Sequence, residues 1–149
     1  MEIRYAMSSP PASVGPEASV EEAARHMADA GVGALPVVQD DAVVGVVTDR
    51  DLAVRVLARG LSPQLKVESV MSMDPVTVAA DTPVTAALYA MRSIGARHLP
   101  VLEEGRLVGM VSFDDLFSYL SRQLGTLADV VDAVRKVPDP ETGGSCSAG

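Results

Sequence analysis

Tryptophan is absent, and Phe and Tyr bring the aromatic share to only 3%. Large flat aromatic surfaces are therefore not this chain's means of recognition. A single cysteine, Cys146, excludes an internal disulfide, and no Cys/His cluster is spaced to hold a metal, since His26 and His98 stand far apart. Cations are also scarce. The 12 Lys and Arg face 20 Asp and Glu, for a net charge of −8. Because nucleic-acid affinity comes largely from cations that neutralise phosphates, this balance argues against nucleic acid as a partner. No apolar run reaches the roughly 18 residues of a membrane span, and the opening "MEIRYAMSSPP" has no signal-peptide pattern. The expectation is a soluble, cytoplasmic protein with no membrane partner. No spacing joins a nucleophile to a base, so no catalytic residue and no catalytic cofactor is expected. "GVGALP" opens like a glycine loop, but its third glycine position is Pro36, and it lies between a helix and a strand, the reverse of a dinucleotide motif.

What is present is a repeat. Shifting the chain by 64 residues lays Met7–Leu52 over Met71–Leu116 without a gap. The pairs include Met7/Met71, Pro11/Pro75, Val20/Val84, Met27/Met91, Gly31/Gly95, Pro36/Pro100, Gly45/Gly109 and Asp51/Asp115, with Ile3 above Val67. Retention of Gly, Pro and Asp in register marks an internal duplication.

Each copy reads as strand, helix, hairpin, helix. The entering strands are Ala12–Val14 and Val76–Val78. In "SVEEAARHMADA" the residues Val20, Ala23, Ala24 and Met27 share one helical face. Ser19 and Glu22 are spaced as a capping box, and Gly31 follows as a C-cap. In the second copy Thr82 and Pro83 open the helix and Gly95 closes it. "LPVVQDDAVVGVV" and "LPVLEEGRLVGMV" are hairpins turning at Asp40–Asp41 and at Gly105. Helices then begin at "TDRDLAVRVLA" and "SFDDLFSYLSR". One copy of about 50–60 residues buries too little surface to stand alone, and a second supplies a matching face about an approximate two-fold axis. The expected organisation is a first repeat at 1–60, a linker at 61–70 and a second repeat at 71–123. A short amphipathic helix at 124–136, with Leu127, Val130, Val131 and Val134 on one side, and a polar, mobile tail at 137–149 complete it.

A strand-helix-strand-strand-helix unit given twice, with "LPV", then "VGVVT" or "VGMVS", then a carboxylate three residues on, resembles the CBS domain. A tandem pair of these is a Bateman module. The resemblance covers Met1–Gln123 and implies an α/β (α+β) fold of two β-α-β-β-α repeats with sheets packed face to face. It implies a stand-alone protein of bacterial type that forms a homodimer and regulates a partner protein of unknown identity. Many relatives bind AMP, ADP, ATP or S-adenosylmethionine, and some bind nothing known.

By the same resemblance Asp51 and Asp115 hold a ribose, and Thr48 and Ser112 touch the sugar or phosphate. An ionised carboxylate accepts from both ribose hydroxyls, and such charge-assisted bonds are the stronger kind. Arg97, His98 and Arg50 are the phosphate candidates. Backbone around Pro36 and Pro100, with Ser13, Val14, Thr77 and Val78, forms the adenine slot. Thr48/Asp51 and Ser112/Asp115 are equally spaced as plain capping boxes. The copies differ where Arg97 and His98 replace Gly33 and Ala34. Unequal sites follow, and which is the better depends on whether those two residues serve their own repeat or its neighbour. The alternative reading is a ligand-free scaffold whose repeats serve only dimerisation.

Overall fold

The computed structural model describes residues 1–136. The expected mobile tail at 137–149, with Cys146, lies outside the described residues. The chain forms two compact units that divide after Leu116. The first holds both repeats.

In the first repeat, helix α1 (Val20–Ala30) leads to hairpin β1 (Ala34–Gln39) and β2 (Ala42–Thr48). Helix α2 (Asp49–Asp51) continues as a π turn over Leu52–Val56 and a 3-10 turn over Leu57–Arg59. Short strands β3 (Ser72–Met73) and β4 (Val78–Ala79) follow, then α3 (Val84–Ile94), hairpin β5 (His98–Glu103) and β6 (Arg106–Ser112), and α4 (Phe113–Lys136). Most of the punctuation is as the sequence implies, except that Pro83, expected as the first helical residue of α3, is the extended residue just before it. Ser19 and Glu22 cap α1 reciprocally, and Gly31 and Gly95 end α1 and α3 with left-handed φ of 68° and 66°. Both hairpins turn on two positive-φ residues, Asp40–Asp41 and Glu104–Gly105, the geometry whose twist matches paired strands.

Each sheet is completed by the other repeat's lead-in. The β3 strand, at the head of the second repeat, pairs antiparallel with β2 of the first, with Ser72 opposite Val46 and Met73 opposite Gly45. Reciprocally, Ser8 bridges Met110 of β6. Ser8 and Met110 exchange backbone bonds of 2.9 and 3.1 Å. Ile3 and Val67, in matched 3-10 turns, are fully buried. The Ile3 amide donates to the Thr82 carbonyl, while that of Val67 donates to Ala18. The α3 helix begins after Pro83, which has no side-chain oxygen to cap it. Its first amide, on Val84, donates instead to the Met1 carbonyl at 2.9 Å, as that of Val20 donates to Leu65 at 2.8 Å.

Three expectations are refined. The entering strand at Ala12–Val14 is a single bridge from Val14 to Val37, and its counterpart is Val78–Ala79 rather than Val76–Val78. Prolines at 10, 11 and 75 supply no amide to extend either. The stretch expected as a linker is anchored at its far end, where Leu65 and Val67 bond the first repeat. Gly125 does not interrupt the last helix, so α4 runs as one element from Phe113 to Lys136.

The first core packs Val20, Ala23 and Met27 of α1 against Leu35, Val37 and Val47 of the sheet, with Val67 inserted from the exchanged segment. Matched positions Val84, Ala87, Met91, Leu99, Val101 and Val111 are buried in the second repeat. Between the repeats Ala34, Val46 and Met110 form a small cluster of their own.

The exchange works only at glycine. A Cβ on Gly109 would lie 2.6 Å from Met7 Sδ and 2.9 Å from the Ser8 carbonyl oxygen. On Gly45 it would meet Met71 Sδ at 2.5 Å and the Ser72 carbonyl at 2.8 Å. The sulfur can move, but the paired carbonyl cannot. Gly109→Ala is expected to cost about 1–3 kcal/mol, as overpacking does, read as a lower urea midpoint. A cost below about 0.5 kcal/mol, the size of an ordinary surface substitution, would contradict this packing.

Candidate functional site

Two clefts follow from this architecture, each built from one repeat's helix start and the other's helix end and strand start. One has a volume of about 500 Å³. It is lined by Thr48, Asp49, Arg50 and Asp51 of the first repeat and by Ser72 and Gly95–His98 of the second. The other measures about 410 Å³ and sets Ser112, Asp114 and Asp115 of the second repeat against Pro10–Ala12 and Gly31–Ala34 of the first. These volumes lie in the range of small-molecule sites. A shift of 64 residues maps most of one lining onto the other, so the clefts are mates under the internal symmetry.

Local chemistry fixes the carboxylates. Asp51 N–H donates to Thr48 Oγ1 at 3.1 Å, and Thr48 N–H donates to Asp51 Oδ2 at 2.9 Å. Ser112 and Asp115 repeat the arrangement with two bonds of 3.0 Å. The capping boxes are thus real, and they hold each carboxylate in one rotamer at the rim of a cleft. Capping and lining are compatible, because a cap engages only one of the two oxygens. The sites diverge at the second oxygen. Asp51 Oδ1 lies 3.6 Å from Arg55 Nε. In the other repeat the matched position is Tyr119, which offers no cation.

The cations are divided unequally. Arg50 and Arg97 both line the Asp51 cleft, whereas the Asp115 cleft has no Arg or Lys among its lining residues. Arg97 therefore sits in the neighbouring repeat's cleft. It pairs with Asp114 at 2.9 Å and lies over the Phe113 ring, 5.2 Å from its centre. His98 lines both clefts, at the position Ala34 holds in the other repeat. Burial pushes its pKa below the ordinary value and Arg97 pushes the same way, while Asp49, Asp114 and Asp115 oppose them.

Of the residues named from sequence, Thr48, Arg50, Asp51, Arg97 and His98 meet in one cleft, and Ser112, Asp115 and His98 in the other. Ser13, Val14, Pro36, Thr77, Val78 and Pro100 are not among the lining residues. Pro36 and Pro100 are fully buried in β1 and β5. The Pro36 carbonyl accepts the Val14 amide, and Val78 pairs with Val101. Sequence reasoning missed Pro10–Ala12, Gly31–Gly33 and Asp114. Gly31 is legible as a helix cap, but that the cap faces the opposite repeat is a matter of tertiary pairing. Among the described residues no group of His, Cys, Asp and Glu could hold a metal, and no helix is long and apolar enough to cross a membrane.

Two symmetry-related clefts in a tandem α/β repeat, each rimmed by a capped carboxylate, define a paired-repeat module. The family model of the CBS domain matches residues 2–58 and 67–122. The chain belongs to the CBS-domain family. It is 35% identical over 114 residues to the CBS domain-containing protein YhcV of Bacillus subtilis, covering 76% of this chain and 81% of that one. A CBS-domain protein of Pyrobaculum aerophilum complexed with AMP superposes with a TM-score of 0.72 at 28% identity, covering 77% of this chain and 89% of that one. The CBS-domain pair of protein MJ0100, in complex with 5′-methylthioadenosine and S-adenosyl-L-methionine, gives 0.73 at 26% identity, covering 85% and 97%.

A histidine whose folded pKa is depressed makes the unfolded state bind more protons below about pH 6.5, the ordinary value. The stability that neutral His98 contributes is therefore complete above that pH and is lost as pH falls through it toward the lower folded value. Urea denaturation of wild type and His98→Gln between pH 7.5 and 5.5 should show the steeper decline in wild type. Equal declines would contradict this assignment.

Proposed function

We propose that the protein is a regulatory module that binds an adenosine-containing ligand in these clefts and passes the bound state to a partner protein. The observation that carries this reading is the placement of Asp51 and Asp115, each held by its cap at a cleft rim with the opposite repeat forming the facing wall. The adenosine complexes of the structural neighbours support the ligand class. A ribose edge donates two hydroxyls, and each carboxylate is an ionised acceptor for them. Because each cleft has walls from both repeats, a ligand that fits one inter-repeat angle better than another shifts the population toward it. The role is binding rather than turnover, in a cytoplasmic bacterial homodimer.

The charge division supports a different ligand for each cleft. With Arg50 and Arg97, the Asp51 cleft suits the phosphate of AMP, ADP or ATP. The Asp115 cleft carries two carboxylates and no lining cation. It suits a neutral or cationic adenosine such as methylthioadenosine or the sulfonium of S-adenosylmethionine. Thr48 and Ser112 stand beside the sugar in this arrangement, and His98 faces both ligands.

A ligand that binds only the folded state raises the melting temperature by mass action. AMP and S-adenosylmethionine should each do so. Asp115→Asn keeps an acceptor for the Ser112 amide but loses the charge, so it should weaken S-adenosylmethionine about tenfold or more, roughly 1.4 kcal/mol. AMP binding should be nearly unchanged in that variant. Arg50→Ala with Arg97→Ala should do the reverse. No thermal shift with any adenosine ligand at millimolar concentration would favour the scaffold reading instead.

A further inference from the structure

The contact between the repeats centres on positions that the 64-residue shift relates in pairs, 34 with 98 and 46 with 110. Ala34, Val46 and Met110 are buried, apolar and packed together. The remaining position is His98, which is half-buried. A perfect repeat would place a second alanine there. The imidazole thus stands beside the approximate two-fold axis, and for that reason it lines both clefts. It joins Ala34, Met110 and Ser112 in the Asp115 cleft, and Val46, Thr48 and Arg50 in the Asp51 cleft. Among the described residues no other lines both. Charge acts on it from each neighbouring element. Arg97 precedes it in the chain, Asp114 and Asp115 act from the start of α4, and Asp49 acts from the start of α2. Arg50 and Asp51 line the Asp51 cleft beside it. Its partner on β6 is the uncharged Ser112. Imidazole is the side chain that gains a proton in the physiological range, and between two partly enclosed sites one such charge is felt in both.

We propose that His98 makes ligand choice in both clefts depend on a single proton. Its imidazolium favours an anion in the Asp51 cleft, where Arg50 and Arg97 already stand, and opposes a cation in the Asp115 cleft. As pH falls, preference moves from a cationic adenosine toward a phosphorylated one. The coupling rests on the adenosine reading of the clefts and adds that the two are not independent. Linkage is reciprocal. An anion entering the Asp51 cleft draws a proton onto His98, and a cation entering the Asp115 cleft expels one. Burial holds the His98 pKa below its ordinary value against the pull of Asp49, and Arg97 adds to burial. A cation's affinity is therefore complete above about pH 6.5 and is lost as pH falls through the lower folded value. An anion raises that value, so its affinity grows as pH falls through the raised one.

The probes are adenosine 5′-sulfate and the S-methyl sulfonium of methylthioadenosine, whose charges stay fixed across the range. Titration calorimetry of the full chain between pH 7.5 and 5.5 should show the sulfate tightening by about threefold or more and the sulfonium weakening by about as much. Repeated near pH 6 in two buffers of different ionisation enthalpy, it should show proton uptake with the sulfate and proton release with the sulfonium. In His98→Gln both slopes and both proton counts should fall close to zero. The slope, rather than the affinity at one pH, is the readout, because a purely structural role for His98 would not give the two probes opposite signs. Binding of both probes without a slope, with slopes of one sign, or with slopes that persist in His98→Gln would overturn the coupling while the ligand reading stands. No heat from either probe at any pH would remove the ligand reading, and the coupling with it.

Discussion

The structure rests on an exchange of backbone between its two halves. The lead-in of each repeat leaves its own sheet, crosses to the other and pairs there, Ser8 with Met110 and Ser72 with Val46. Two buried anchors, Ile3 and Val67, fix the crossing segments. A backbone can lie this close to a neighbouring strand only where that strand has no Cβ, and the duplication keeps glycine at both crossings, Gly45 and Gly109. A buried amide without a partner is costly, and the exchange also supplies partners: Met1 and Leu65 provide the carbonyls that receive the first amides of α3 and α1.

The direct apolar contact between the halves is small, with Ala34, Val46 and Met110 at its centre. The exchange, more than that cluster, holds the repeats in register. The register in turn makes the clefts, because each takes its helix start from one repeat and its helix end from the other. The same geometry explains why a change in one repeat alters the neighbour's cleft. Arg97 is encoded in the second repeat yet stands beside Arg50 and Asp51. His98, in place of alanine, puts a titratable group where both clefts meet.

The sequence made the repeat, the helix faces, the caps and the hairpin turns legible, because each is local or periodic. Ser19 with Glu22 and Asp40 with Asp41 announce themselves within four residues. The match of Ile3 to Val67 was visible as well, but not its meaning, since nothing local in "EIRY" says that it plugs the far half. The cleft carboxylates Asp51 and Asp115 could be named through the family resemblance, while their spacing alone announced only the caps. The facing walls could not. Pro10–Ala12 and Gly31–Gly33 line a cleft only through pairings about 100 and about 80 residues away in the chain. The strand residues Pro36 and Pro100 recur as strongly as any, and both are buried in the sheet.

Native-state hydrogen exchange resolves the exchange directly, since it assigns an opening free energy to each amide. If the crossing segments tie the halves together, the amides of Ile3, Ser8 and Val67 exchange only with global unfolding, at the same free energy as core amides of β1 and β5. Exchange of Ile3 and Ser8 by local fraying, orders of magnitude faster than the core while the rest of the fold stays closed, would contradict the account.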